Sequence, residues 1–415
     1  MNAVAYGTAK ERIVIVGRNY GNILAMTRAV GRAGYEVDVL RLYKTKPRKM
    51  NVLSSMKPDA FSKFVCRFIE CIVGDDFDKV IDSLISMSLG NKKQLLIPVD
   101  DYSCGIIDDN INTLKNKYIV PEINGEQGKI KQFMDKRLQK ALAEEAGLPV
   151  LKSALIKSND HLCHVPEDVP FPCFVKPNIS MNDTKARMAR CDNKQELDKI
   201  LSKYKSESEF ELLAEEFADI KAEYSLLGIS DGENVYAPGL FRAEVGGHRE
   251  RKGVAMTGVT VDTERFKSFI DKCEEYIASL KFKGLFDIDI IETKDGNIYF
   301  IEVNFRAGAS VHVFTELGIN MPGMFADKML RGIAIDTAAL NCKCGKTFLS
   351  EKILLEEFTR NDVTVKEFKT YLRSADILFM SDKEDHKPYE YFKKYYLAAW
   401  LMRLPYRMRD RRKEK

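Results

Sequence analysis

Three acidic residues and an asparagine lie on either side of an Asp-Gly pair in the second half of the chain. Asp295-Gly296 is a pair favoured in two-residue β-hairpin turns, because both positions tolerate positive φ. A turn at this pair makes Asp289 face Glu302 and Asp287 face Asn304. Cross-strand partners project from the same face of a sheet, so the sequence predicts that these four side chains lie together.

Carboxylates that converge on one face repel each other unless something neutralises them. A hard divalent cation does this well, and Mg²⁺ usually takes a few carboxylates together with phosphate oxygens. The three carboxylates, with Asn304 beside them, therefore form a candidate metal site. Arg306 continues on the same face and is placed to meet an anion beside the metal. The alternative is an exposed hairpin face on which the acids are simply solvated.

The other face of the hairpin predicts how it is held in the fold. Ile288 would pair with Val303, and Ile290 with Ile301, and all four residues are apolar. Alternate residues of a strand point to opposite faces, so this side is expected to pack in a core.

The overall composition is that of a folded protein without a basic surface for nucleic acid. The chain has 415 residues, of which 45% are hydrophobic and 30% charged, and a formal net charge of +4. Residues 403–415 hold seven Lys/Arg and two acids, so the remainder is close to neutral. We therefore predict no nucleic-acid partner.

The cysteines and the hydropathy pattern predict a cytoplasmic location. The nine cysteines are an odd number without the spacing of a disulfide framework or a zinc site, and free thiols suit a reducing compartment. No N-terminal signal segment and no apolar run of about 18 residues is present, so no membrane span is expected.

The first part of the chain, residues 1–125, predicts an α/β domain with a parallel sheet. A buried strand at 12–17 is followed by a helix at 19–33 and a second strand at 36–40, and a further buried strand occupies 95–99. Alternating strands and helices favour parallel pairing. The glycines after the first strand do not have the spacing of a dinucleotide-binding turn.

Two further segments follow. Residues 126–338 begin with a helical pattern at 129–146 and continue with short strands that end in the acidic hairpin. Residues 339–415 are predicted to form an α-rich extension that ends in a basic tail. An aromatic and apolar stretch before this tail is compatible with weak contact to an anionic membrane surface, although a helix packed on its own core is the favoured interpretation.

Motifs in this middle segment resemble the ATP-grasp family. The hairpin ending in Glu302-Val-Asn304-Phe-Arg306, with Asp289 upstream, resembles the family's magnesium-binding end. Lys136, in Met-Asp-Lys at a helix start, resembles the first nucleotide lysine. Lys176, at the end of the strand Phe-Val-Lys-Pro, resembles the lysine that reaches the phosphates.

The resemblance also covers the hinge between two lobes. Glu215, Glu216 and Phe217 resemble the segment whose backbone reads the adenine edge, and Glu223 falls near the acid that holds the ribose hydroxyls. The family likeness implies a two-lobed nucleotide-binding module, with a small lobe at about 150–217 and a large lobe at about 218–335.

This sequence departs from the family pattern at two places. The loop 178–184 contains no glycine, whereas many relatives use several so that backbone amides can cradle phosphates. Amide and hydroxyl side chains are expected to replace some of those donors. The hinge also lacks the usual glycine before Glu223.

The resemblance implies that ATP and Mg²⁺, for which Mn²⁺ is a possible substitute, activate a carboxylate as an acylphosphate, which an amine then displaces with release of ADP and phosphate. Lys136 and Lys176 would neutralise the triphosphate, and Arg306 would stabilise charge on the transferred group. Arg242, beside the glycine-containing basic loop 246–252, is the preferred contact for the substrate carboxylate. The implied partners are small carboxylates and amines, and the likeness is to carboxylate–amine ligases such as D-aspartate ligase.

Two other classes remain open from the sequence. A phosphotransferase of the kinase kind would use the same nucleotide residues, and so would an ATP-binding regulatory module without turnover. The complete set Asp289, Glu302, Asn304 and Arg306 argues against a degenerate site.

Overall fold

The fold was analysed in a computed structural model of the chain. It describes residues 11–46, 56–90, 92–159, 162–179, 188–204, 207, 209–244, 256–341, 344–360, 362–394, 397 and 401. Within these residues no helix combines the length and the hydrophobicity that crossing a bilayer requires. Residues 180–187, 245–255 and 402–415 lie outside the described residues. The predicted glycine-free loop beyond Ile179, the predicted basic loop 246–252 and the basic tail fall in these ranges.

The N-terminal part is the parallel α/β unit that the sequence predicts. Its five strands have the order β3-β2-β1-β4-β5, all parallel, and apolar side chains cover both faces. Its elements are β1 Arg12–Gly17, α1 Tyr20–Arg32, β2 Glu36–Tyr43, β3 Val65–Ile72, α2 Asp78–Met87, β4 Gln94–Pro98, α3 Asp101–Asp108, α4 Ile111–Leu114 and β5 Tyr118–Ile119.

The segment that connects this unit to the next differs from the prediction of one helix at 129–146. After β6 (Glu122–Ile123), two helices occupy the segment, α5 at Lys129–Gln132 and α6 at Lys136–Glu145. The break arises at Asp135, whose backbone is extended and whose carboxylate accepts a hydrogen bond from Leu138 N–H. This N-cap starts a new helix at Lys136.

The small lobe is an antiparallel sheet with the order β10-β9-β11-β7-β8 and an apolar core on one side. Its elements are β7 Ser153–Asn159, β8 Leu162–His164, β9 Cys173–Pro177, β10 Ala189–Cys191, α7 Lys194–Leu201 and β11 Phe210–Glu216.

The large lobe is built on a sheet of eight strands with the order β16-β15-β12-β13-β14-β17-β18, and β6 pairs with β15. The last two strands come from the C-terminal extension. The elements that precede them are β12 Ile220–Asp231, β13 Val235–Glu244, β14 Thr257–Thr260, α8 Lys267–Ser279, β15 Phe282–Thr293, β16 Ile298–Asn304, α9 Val311–Glu316 and α10 Met321–Arg331.

The C-terminal extension is more than the helical segment that the sequence predicts. Besides α11 (Glu351–Arg360) and α12 (Val365–Ser374) it contributes β17 (Thr347–Leu349), which pairs with β14, and β18 (Ile377–Leu378). These strands are short and lack an alternating pattern of useful length, so local sequence does not reveal them.

The hairpin turn between β15 and β16 is longer than the sequence predicts. Three residues, 294–296, form it, and Thr293 N–H donates to Asn297 O at 2.9 Å. Gly296 takes a φ of +90° at the last turn position. Ile290 therefore pairs with Phe300, and the predicted pairing with Ile301 is wrong.

A β-bulge at Ile301 then restores the predicted register. Beyond it Asp289 pairs with Glu302, and Asp287 pairs with Asn304. The extra residue in the strand offsets the extra residue in the turn. The acidic pairs are thus those expected, although the turn length and the pairing next to the turn differ from the prediction.

A buried ionic network joins the extension to the N-terminal unit. The Arg28 guanidinium, fully buried on α1, donates to Asp385 Oδ2 at 3.0 Å and to the carbonyl oxygens of Phe379 and Met380 at 2.7 and 3.1 Å. Arg32 on the same helix pairs with Asp382 at 2.6 Å.

We predict that Arg28→Met destabilises the protein strongly. The substitution leaves buried carboxylates without their partner, which typically costs about 3–5 kcal/mol of the free energy of unfolding. Urea unfolding followed by circular dichroism measures it. Lys57→Met, which removes an exposed pair with Glu70, should cost less than about 1 kcal/mol. Equal losses in the two variants would contradict the importance of the buried network.

Candidate functional site

The acidic face of the hairpin lies inside the molecule. Asp287 is 5% exposed, and Ser225, on the neighbouring strand β12, donates a hydrogen bond to its carboxyl group. Asn304 donates its side-chain amide to Asp289 Oδ2 at 3.4 Å and to the Asp287 carbonyl at 3.3 Å. The exposed, solvated face that was the alternative interpretation is therefore wrong, because Asp287 is buried and Asp289, Glu302 and Asn304 are only partly exposed.

The pKa values of the acids shift in opposite directions because their cationic neighbours differ. Burial raises the pKa of Asp289 well above its usual range, and the nearby carboxylates of Asp287 and Glu302 add to the effect. Burial alone would also raise the pKa of Glu302, but Lys136 and Lys176 lower it to about 2. Ionisation of Glu302 is therefore favoured by its neighbours, whereas ionisation of Asp289 is opposed.

Helix α6 brings Lys136 to the hairpin. Lys136 is its first residue, and its Nζ lies 3.3 Å from Glu302 Oε2. Gln139, one turn later, donates Nε2 to Val303 O and accepts from Val303 N–H, both at 2.9 Å. These two bonds satisfy the open edge of β16, which is the last strand of the sheet, and fix the helix against it.

The sequence assigns a role to the backbone of the hinge but none to the side chain of Glu215. This side chain lies between two lysines, at 2.6 Å from Lys140 Nζ and 2.9 Å from Lys176 Nζ. The three residues are at most 5% exposed. Lys140 was missed from the sequence, although its position four residues after Lys136 places it on the same side of the helix.

The next two hinge residues use their amides within the protein. Glu216 N–H donates to Lys152 O at 2.8 Å, and Phe217 N–H donates to Pro172 O at 2.9 Å. The adenine contacts expected of Glu216 and Phe217 would have to use other backbone atoms. The Arg190 guanidinium lies 4.1 Å above the Phe217 ring.

Glu223 lies on β12, on the same face as the acids. Its pairing partner on β15 is Ile291, while Ser225, two residues further, pairs with Asp289. Cross-strand partners share a face, so Glu223 lies at the outer end of the row that contains the metal candidates. Its side chain is exposed, which leaves it accessible to a ligand.

Arg306 lies where the N-terminal unit meets the hairpin. Its Nε donates to Asp101 Oδ1 at 3.0 Å, and its NH2 donates to Asn304 Oδ1 at 3.1 Å. Burial alone would lower the pKa of Arg306, but Asp101, Asp287 and Asp289 together raise it, so the guanidinium stays charged. Asp101 was not foreseen as a site residue, although it follows β4 directly.

Arg242 is the residue that the geometry removes from the site. It pairs with Tyr224 across β13 and β12, so it shares the sheet face of Tyr224, opposite to that of Ser225 and Asp289. Its guanidinium pairs with Glu244 at 2.8 Å and is 42% exposed. The prediction that Arg242 contacts the substrate carboxylate is therefore corrected. Alternate residues of a strand point to opposite faces, and Arg242 lies on the face opposite to the acids.

The donor set of the hairpin fits a hard divalent cation. Asp289, Glu302 and Asn304 offer carboxylate and amide oxygens on one face, the ligand type that Mg²⁺ and Mn²⁺ prefer. Asp287 Oδ1 is buried without a hydrogen-bond partner. Acids that are buried or only partly exposed, and only partly compensated by lysines and an arginine, carry an excess negative charge that a cation would neutralise.

The comparisons with known proteins bear on the fold and the family of the chain. Residues 141–318 match the ATP-grasp domain family. A formate-dependent phosphoribosylglycinamide formyltransferase from Ignicoccus hospitalis is 25% identical over 243 residues, which are 56% of this chain and 57% of that protein. The large chain of carbamoyl phosphate synthase from Thermotoga neapolitana is 28% identical over 211 residues, 49% of this chain but 17% of its own length.

Solved structures share the fold over a longer stretch. An L-amino acid ligase from Bacillus licheniformis aligns over 82% of this chain and 79% of its own, with a TM-score of 0.59 and 15% identity. An N5-carboxyaminoimidazole synthetase from Staphylococcus aureus, solved with ADP, aligns over 83% of each chain, with a TM-score of 0.60 and 19% identity.

This chain therefore contains an ATP-grasp domain, and the prediction of a two-lobed ATP-grasp fold behind a parallel α/β unit is confirmed. The curated relatives named above are matched over little more than half of their length or less.

We predict that Asp289→Asn stabilises the metal-free protein at neutral pH. A carboxyl whose pKa is raised by folding favours the folded state below its unfolded pKa, and this contribution is lost as the pH rises through the folded value. Removing the charge should therefore raise the free energy of unfolding at pH 7 by on the order of 1 kcal/mol.

Urea unfolding with a chelator, repeated from pH 4 to pH 8, measures this effect, and the gain should shrink towards pH 4. Asp295→Asn, an exposed substitution in the hairpin turn, is the matched control and should give no such pH-dependent gain. A loss of stability at neutral pH in Asp289→Asn would mean that the acid is not under electrostatic strain.

Proposed function

We propose that this protein is an ATP-dependent carboxylate–amine ligase. The observation that carries the proposal is the meeting of Asp289, Glu302 and Asn304 on one partly buried sheet face, with Lys136 within 3.3 Å of Glu302 and Arg306 within 3.1 Å of Asn304. The fold supports it, and two of the proteins that share the fold are an L-amino acid ligase and an N5-carboxyaminoimidazole synthetase.

ATP would lie between the two lobes, with its phosphates near the acids. Lys136 and Lys176 would bring two buried ammonium groups to this point, and Glu216, Phe217 and Glu223 would lie towards the adenosine end. Magnesium, held by Asp289, Glu302 and Asn304, would supply charge neutralisation at the phosphates when bound.

The side chains of the site would also assist the transfer of the phosphoryl group. The γ-phosphoryl group passes from ATP to an oxygen of the substrate carboxylate, which breaks the bond between the β and γ phosphates and gives an acylphosphate and ADP. The buried ammonium and guanidinium groups stabilise the charge that spreads over the transferred group. Attack of an amine on the acyl carbon expels phosphate and gives the amide.

The substrates would enter from the N-terminal unit. Asp101 follows the carboxyl end of β4 and contacts Arg306 at 3.0 Å. In open parallel sheets the crevice at the carboxyl ends, where the strand order reverses, is the usual ligand site, and here it lies between β1 and β4. An amino acid or a peptide is the proposed substrate class.

We predict that Glu302→Gln lowers turnover at least about a hundredfold while the fold is kept. The substitution keeps the shape but removes a charge that the magnesium site needs. Acid-dependent release of ADP and circular dichroism measure the two effects. Glu275→Gln, an exposed change on α8, should turn over normally. Normal turnover of Glu302→Gln at limiting magnesium would exclude the hairpin as the metal site.

The course of the reaction gives a separate prediction. A panel of amino acids and other small carboxylates is first screened for stimulated release of ADP. With the active acid and no amine, hydroxylamine should trap a hydroxamate, and ADP should form in about equal amount, because an acylphosphate is the intermediate.

Two products would point elsewhere. Stoichiometric AMP would overturn the acylphosphate route in favour of an acyl-adenylate. A stable phosphorylated product that resists hydroxylamine would identify a phosphotransferase instead.

A further inference from the structure

One buried carboxylate at the proposed nucleotide site is shared by two lysines from different parts of the fold. Glu215, on β11, accepts from Lys140 Nζ at Oε1 (2.6 Å) and from Lys176 Nζ at Oε2 (2.9 Å). The exposed fraction is 4% for Lys140 and 5% for each of the other two. Each oxygen of the carboxylate therefore serves one ammonium group.

A single carboxylate cannot neutralise two ammonium groups, so the trio carries one net positive charge. Burial lowers the pKa of Lys140, and the carboxylate of Glu215 offsets part of this effect. Burial also opposes the charge of Lys176, but Glu215 and then Glu302 outweigh it and raise its pKa. The side of the trio that faces the acidic hairpin is thus the Lys176 side.

The two lysines differ in what they can do when phosphates arrive. Lys176 lies near the end of β9, which leads towards residues 178–184, and the charges of Glu302 and Asp289 act on its ammonium group. Lys140 projects from α6, which the two hydrogen bonds between Gln139 and Val303 fix against β16. Of the two ammonium groups, that of Lys176 is therefore the one assigned to the proposed phosphate position.

Building on the proposed function, we propose that Lys140 is a positioning residue that stays with Glu215 when Lys176 turns towards the phosphates of ATP. If Lys140 were absent, the same movement would leave Glu215 buried without a partner, which is strongly unfavourable. Lys176 would then remain paired with Glu215, and the phosphates would lose a contact. Lys140 thus acts on phosphate binding without touching the nucleotide.

The test separates the phosphate contribution from the adenosine contribution. Isothermal titration calorimetry with Mg²⁺ measures the dissociation constants of ATP and of adenosine for the full chain and for Lys140→Met. We expect the ATP constant to rise at least about tenfold, and the adenosine constant to change less than about twofold. Lys140→Arg, which keeps the charge, should bind ATP nearly as the unaltered protein does.

A second variant tests the charge argument itself. Lys140→Met combined with Glu215→Gln removes both the ammonium and the carboxylate, so Lys176 no longer has a charged partner to leave. We expect this double variant to recover most of the ATP affinity that Lys140→Met loses. Lys131→Met, which removes an exposed pair with Asp109, is the matched control and should bind as the unaltered protein does.

Three results would overturn the inference while the proposed function stands: unchanged ATP affinity in Lys140→Met, an equal loss for ATP and adenosine, or no recovery in the double variant. An equal loss of affinity for ATP and for adenosine would show that Lys140 only stabilises the structure of the lobe. Failure of the unaltered protein to bind ATP would instead overturn the proposed function, and the inference with it.

Discussion

The mutual repulsion of carboxylates on one largely buried sheet face is the constraint on which the rest of the site depends. Asp287, Asp289 and Glu302 project from β15 and β16 at positions that are buried or only partly exposed. Uncompensated charges are costly in such a place, and Lys136, Lys176, Arg306 and Asn304 supply cations and a donor there. The compensation is uneven: Glu302 has two lysines nearby, whereas Asp289 has mainly an amide and a shared arginine.

Helix α6 is the element that distributes this compensation between the lobes. Lys136 and Lys140 reach Glu302 of the large lobe and Glu215 of the small lobe, respectively, while Gln139 between them fixes the backbone of β16. Side chains three and four residues apart lie on neighbouring positions of a helix surface, so one turn serves all three contacts. The N-cap at Asp135 matters for the same reason, because it sets where that turn begins.

The sequence predicts much of this arrangement because local patterns govern it. The parallel order of the first strands follows from alternating strands and helices, and the acidic pairs follow from an Asp-Gly turn between two strands. The hairpin also shows how easily such a prediction can fail. The turn is one residue longer than expected, and without the bulge at Ile301, which shifts the strand by one residue, every acid would face a different partner.

What the sequence does not predict are contacts between residues far apart in the chain. The pairing of Lys140 with Glu215 spans 75 positions, and that of Arg306 with Asp101 spans 205. Neither leaves a periodic or local signal, because each depends on how separate sheets pack. The misplacement of Arg242 has a different cause: its position on β13 relative to β12 fixes its face, and that register was not derivable from the loop beside it.

The pair formed by Arg306 and Asp101 connects the charge balance of the hairpin to the N-terminal unit. Arg306 lies in the field of Asp101, Asp287 and Asp289, so its single charge is divided among acids from two units. A cation bound by Asp289 and Glu302 would satisfy the acids of the hairpin and reduce their hold on the guanidinium. Arg306 would then interact more strongly with Asp101 and with an anionic group at the carboxyl end of β4. Metal binding on one side of Arg306 and substrate binding on the other are therefore expected to be coupled through this one side chain.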